Sequence, residues 1–226
     1  MNSTKLGGYL LIIAPLLMLA VFMFLWDAVI GSTSEDLKGQ EAVAAQMDLA
    51  MENITATRII ASLAGLGMIG MLFGYTFWAR SVQGDDKKAG LLGTVAALIL
   101  PVAAAAIMLS MDFHFAAADT WLDGDKENAL IVATVGDSIA TASTFVWAFV
   151  FIGIAFTGIA SALQATDIFD KSISAIVAVI ATLMFIMNYS TIGDAGFIIF
   201  LLFMIVTVIS GINLIRRGSA ATAKSA

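Results

Sequence analysis

The 226-residue chain has no cysteine, one histidine, two prolines and few charged side chains. Without cysteine there is no disulfide, thiolate metal site, iron–sulfur cluster or cysteine nucleophile. A single histidine removes most multi-histidine metal and haem arrangements. Charged residues make up 12% and hydrophobic residues 60%, against roughly 25% and 45–50% in soluble domains. With a mean hydropathy of +0.97, the chain cannot present a water-facing surface throughout. A soluble enzyme and a disordered chain are excluded. The net charge of −6 and pI near 4.5 argue against a nucleic-acid partner, which selects basic faces.

What the sequence has in quantity is long apolar runs. A bilayer core about 30 Å thick needs about 20 mostly apolar residues per spanning helix. Six stretches qualify: 9–26, 59–78, 91–111, 139–163, 173–189 and 197–215. The first follows Lys5, but no small-x-small cleavage site precedes the acidic segment after it, so it reads as an uncleaved span. The expected fold is all-α, a polytopic membrane helix bundle with six transmembrane helices forming one membrane domain over 1–226.

Charge sets the expected orientation. Lys5, Arg80, Lys87, Lys88, Lys171, Arg216, Arg217 and Lys224 fall on one side with four acids. Lys38, Arg58 and Lys126 fall on the other with thirteen. Basic residues mark the cytoplasmic side. Both termini are therefore expected in the cytoplasm of a multi-pass plasma-membrane protein with an acidic outer face. Two longer outer loops are predicted, 31–53 and 116–135. In the first, Val43, Met47, Met51 and Ile54 recur at helical spacing, an amphipathic stretch. The second holds Trp121 and an Asp-Gly-Asp turn at 123–125.

Gly65-Leu-Gly67-Met-Ile-Gly70 matches the dinucleotide-binding pattern, but that motif requires a preceding strand. Inside an apolar helix, Gly67, Gly70 and Gly74 instead make a bare face for close helix packing. No cofactor is predicted, and no catalytic residue is assigned.

Charged groups collect at the outer span ends: Asp27, Arg58, Asp112, His114, Asp137 and Asp194. Two readings stay open. One is a polar collar at the interface. The other is a ligand or ion vestibule of Asp27, Arg58, Asp112, Asp137, Ser138, Thr141 and Asp194, with Arg58 as the central counter-charge, since a guanidinium can hold two carboxylates. Thr134, Asp137, Ser138, Thr141 and Thr144 recur every three or four residues, one polar stripe on span four. Asp112, His114 and Asp119 make a candidate cation site with one imidazole. The twelve methionines are scattered over apolar faces and read as packing. Gly136-Asp137 and Gly193-Asp194 are two Gly-Asp pairs at span ends, and Ile192-Gly193-Asp194 before an apolar helix resembles the Gly-x-Gly-Asp signature of intramembrane aspartyl proteases, but Thr191 stands where the first glycine belongs.

A second resemblance lies in the layout: a long outer loop after span one, Phe77-Trp78-Ala79-Arg80 closing span two, and Gly211-Ile-Asn-Leu-Ile-Arg-Arg-Gly218 near the end. In this plan the chain resembles a family of small six-span prokaryotic membrane proteins grouped as a domain of unknown function. That resemblance implies no catalytic residues.

The leading expectation is a non-enzymatic integral membrane protein, an accessory or scaffolding subunit whose partners are the lipid bilayer and other membrane subunits or further copies of itself. The second is a channel or carrier for a cation or small polar solute with an acidic outer vestibule. The third is a membrane-embedded metal-site or aspartyl enzyme.

Overall fold

In lipid a backbone must satisfy its own hydrogen bonds, and a single apolar segment can do so only as a helix. The computed structural model describes residues 2–31, 40–83, 87–139, 144–187 and 195–224, and among these the fold is all-α with no strand. The helices are α1 (Ser3–Ala20), α2 (Trp26–Val29), α3 (Gln40–Glu52), α4 (Ile54–Ser81), α5 (Lys87–Leu122), α6 (Lys126–Ile139), α7 (Thr144–Gln164), α8 (Ile168–Met187) and α9 (Ala195–Lys224). A π-helical turn, Val21–Leu25, joins α1 to α2. Among the described residues six stretches are long and apolar enough to cross a membrane, and the chain is a multi-pass membrane protein.

Local chemistry sets several helix ends. Asn2 Oδ1 accepts from the Thr4 N–H at 2.9 Å at the start of α1. Asp167 Oδ2 accepts from the Phe169 and Asp170 N–H groups at 3.1 and 3.2 Å at the start of α8. Between α5 and α6, Gly124 takes a φ of +90°, which a side chain disfavours, and Asp125 receives the Asn128 N–H at 3.3 Å. The Asp-Gly-Asp turn is thus where the sequence placed it.

The surrounding 116–135 segment differs from the loop expected there. All of it but 123–125 is helical. Charge density marked it as a loop, yet Ala117, Ala118, Trp121, Ala129 and Ala133 are buried at helical spacing, and tertiary packing overrides local polarity. At 36 residues and 1.5 Å per residue, α5 is about 54 Å long, well beyond a hydrocarbon core of about 30 Å.

Internal contacts divide the chain into two compact units. Unit 1 is Met1–Leu16, Met68–Ala105 and Thr144–Ala226; unit 2 is Leu17–Gly67 and Ala106–Ser143.

In unit 1 the helices meet backbone to backbone. A Cβ on Gly8 would lie 2.7 Å from the Gly211 carbonyl oxygen, and one on Gly211 would lie 2.6 Å from that of Gly8. Gly74 faces Leu11 and the Gly7 carbonyl, so α1 is gripped by α4 and α9 on adjacent glycines. A Cβ on Gly158 of α7 would lie 2.7–3.1 Å from the Ser174 carbonyl oxygen and the Ala178 backbone of α8. Along α9, Phe203, Met204, Thr207, Ser210 and Leu214 are buried, whereas Ile198, Leu202, Ile205, Ile209 and Ile212 are exposed. That alternation of three and four residues gives one protein-facing stripe and one lipid-facing stripe.

Unit 2 has its own apolar centre of Val21, Ile30, Ile60 and Ala64, with Leu17, Trp26, Ala50 and Leu63 packed around it. The buried Ser110 hydroxyl of α5 donates to the Gly136 carbonyl of α6 at 2.8 Å.

Gly211→Ala should destabilise the protein by about 1–3 kcal/mol, the usual range for overpacking, because the methyl meets a carbonyl that cannot move alone. At Gly70 the nearest atom is the Ala14 Cβ at 3.3 Å. There the helix-propensity gain of about 0.5–1 kcal/mol offsets a small shift, so Gly70→Ala should be near neutral. Thermal unfolding in one detergent checks the ranking.

Candidate functional site

The polar residues singled out in the sequence lie mostly in unit 2, where several of them form ion pairs. Arg58, near the start of α4, makes an ion pair through one Nη with Asp119 of α5, with side chains 40% and 64% exposed. Its Nε is buried without an acceptor. Arg58 therefore engages a carboxylate the sequence had assigned to a cation site, and with a single contact instead of a fork. His114 Nε2 lies 3.3 Å from Asp137 Oδ1, joining α5 to α6. Lys126 Nζ bonds Asp48 of α3 at 3.0 Å and sits 4.5 Å above the Trp121 ring, so one ammonium ties α3, α5 and α6.

Asp27 and Asp112 are exposed and make no ion pair among the described residues. Thr141 and Asp194 lie outside the described residues, as do Thr191 and Gly193. Thr134 and Ser138 are exposed on α6, their hydroxyls donating to carbonyls four residues back at 2.8 Å. Thr144 is the first described residue of α7, and Thr141 lies in the undescribed stretch before it, so the expected stripe is only partly described.

Asp112, His114 and Asp119 do not come together as a metal site; among the described residues no three acidic or histidine side chains are placed to hold an ion. The reason is helical geometry. Residues 112 and 119 are two turns apart, about 10 Å along the axis, beyond what one cation can bridge at about 2.3–2.6 Å per ligand. His114 points elsewhere, to Asp137.

The glycine face divides between the units. Gly70 and Gly74 lie against Ala14, Leu10 and Leu11 in unit 1, and Gly67 is buried in unit 2. The whole 65–70 motif is interior to α4 with no strand before it, so it has none of the geometry of a phosphate-binding turn.

A second polar site was not anticipated. Arg217 Nε of α9 donates to Asp170 Oδ2 of α8 at 2.8 Å, and Nη1 donates to Ser161 Oγ of α7 at 3.1 Å. Ser161 also accepts from Ser174 at 2.8 Å, and both serines are fully buried. The available signal was two serines on otherwise apolar helices, since polar groups in such helices need partners. Deeper in unit 1, the Tyr75 hydroxyl and Thr207 are hydrogen-bonded at 2.8 Å.

These sites should differ in energy. A double-mutant cycle on Arg58→Gln and Asp119→Asn should give a coupling of about 0.2–1 kcal/mol, the range of exposed pairs, and it should shrink with added salt. Asp170→Asn should cost about 1.5–3 kcal/mol, as for hydrogen bonds to charged groups, with little salt dependence. Chemical unfolding at low and high ionic strength checks both.

Compared with known proteins, the chain matches no family model, no curated protein and no solved structure.

Proposed function

We propose that this is a non-enzymatic integral membrane protein, an accessory or scaffolding subunit of a larger membrane assembly. The observation that carries this reading is where the polar side chains spend their hydrogen bonds. Thr76, Thr157 and Thr207 donate to carbonyls of their own helices, Ser110 to Gly136, and Arg58 and Lys126 to neighbouring carboxylates, with His114 beside Asp137. A solute pathway needs liganding atoms left over to replace the solute's water; the side chains named here are instead engaged within or between helices.

The same reading places both termini in the cytoplasm of a prokaryotic plasma membrane, because the basic residues crowd those ends. The acidic residues of unit 2 then lie on the extracytoplasmic side. Among that unit's described residues Asp27, Glu41, Asp112, Asp123 and Glu127 are exposed, an acidic surface suited to a basic extracytoplasmic partner. Such binding weakens as salt rises.

In mild detergent the protein should run on light scattering as an oligomer or with a co-purifying membrane partner; a bare monomer counts against the assembly role. In liposomes it should conduct no common cation. Cation flux in the wild type that disappears in Asp137→Asn would instead establish a channel or carrier. Reporter fusions at either end test the orientation.

A further inference from the structure

Two adjacent arginines near the end of α9 have opposite surroundings. Arg217 turns inward and pairs with Asp170 in the wall of a polar cavity that Asn2 and Thr4 also line. Arg216 is exposed. It lies four residues after Ile212 and so continues the exposed stripe of Ile198, Leu202, Ile205, Ile209 and Ile212 on one helix face. A cation thus stands at the end of a row of lipid-facing side chains.

Depth along the helix decides what that cation meets. From Ile198 to Arg216 is 18 residues, about 27 Å at 1.5 Å per residue, close to a hydrocarbon thickness of about 30 Å. The guanidinium therefore reaches the layer of phosphate groups while its methylene stem covers apolar surface. Beside it α8 begins, with Ile168 and Phe169 81% and 50% exposed. The Arg216 guanidinium carbon sits 5.8 Å from the centroid of the Phe169 ring. A guanidinium held over a ring keeps its N–H edge free for an acceptor such as phosphate.

No described carboxylate supplies that acceptor. Arg216 makes no ion pair among the described residues. Asp170 is taken by Arg217, and Asp167 Oδ2 accepts from two backbone N–H groups at the start of α8. Lys5, Arg80 and Lys171 belong to helix ends that meet at this end of unit 1. A headgroup carrying its own cation is disfavoured beside them, and an anionic one is drawn in.

We propose that Arg216 and Phe169 form a site for an anionic phospholipid at the junction of α8 and α9. The headgroup phosphate sits on the guanidinium edge, and an acyl chain runs along Ile212 and Ile209.

The test uses the full chain in a neutral detergent, with thermal unfolding followed as phosphatidylglycerol is added to the micelles. Phosphatidylcholine with the same acyl chains is the control. A ligand of the folded state raises the midpoint in a saturable way. Phosphatidylglycerol should do so at concentrations where phosphatidylcholine does not. Arg216→Gln should weaken the effect about tenfold, and Phe169→Leu about two- to fivefold. Both side chains are exposed, so neither change removes core packing. Lys171→Gln removes the same charge two residues from Phe169, on the opposite flank of α8, and should weaken binding less than about twofold. The proposal is overturned if phosphatidylglycerol gives no saturable rise, if the two lipids act alike, or if Arg216→Gln binds as the wild type does. It also falls if Lys171→Gln loses as much as Arg216→Gln, which marks diffuse attraction to a basic surface. Loss of oligomeric mass in Arg216→Gln, with lipid binding intact, would assign Arg216 to a carboxylate of another subunit instead.

Discussion

Between helices in a bilayer there is no hydrophobic drive, since lipid tails are as apolar as leucine. What remains is dispersion and hydrogen bonding at short range, and dispersion falls steeply with a gap of even half an ångström. Unit 1 meets that constraint by bringing backbones into contact at Gly8 and Gly211, at Gly7 and Gly74, and at Gly158 beside Ser174. The consequences extend along the helices. With α1 seated on α9 at Gly8 and Gly211, Lys5 and Thr4 come against Gly218, so Asn2 and Thr4 share a cavity with Arg217. The α7–α8 approach at Gly158 likewise puts Ser161 within reach of Ser174. The polar site at this end is a product of glycine packing.

The two units handle polarity in opposite ways. In unit 1 hydroxyls and the Arg217–Asp170 pair are half or fully enclosed, where an unpartnered group costs about 1–3 kcal/mol. Each buried partner therefore specifies a helix position. In unit 2 the ion pairs are exposed and each contributes little, so they adjust the fit of α3, α5 and α6 without determining it. Arg58 shows the boundary between the regimes, with an exposed ion pair on one nitrogen and a buried, unpaired Nε on the same side chain.

The helical class and the six apolar stretches were legible because lipid leaves an isolated segment one backbone solution. The turn at 123–125 was legible because Asp-Gly-Asp combines a cap with a residue free to take positive φ. Less visible were the helical continuations on either side of that turn, since charge density alone does not separate a solvated helix from a loop. The partners of the candidate site were least visible. Arg58 looked equally able to meet any outer carboxylate, and only the rotation of α5 chose Asp119 and sent His114 to Asp137. Gly7 and Gly8 precede the first apolar run and so drew no notice.

By itself, then, the order of residues determined the helical class, the apolar stretches and the segregation of basic from acidic residues, all of which are properties of composition along a line. The tertiary structure decided which glycines touch, which charges pair and where a polar cavity opens. Those outcomes depend on the relative rotation and depth of helices distant in the chain, and a shift of one residue, about 1.5 Å and 100°, would replace every one of them.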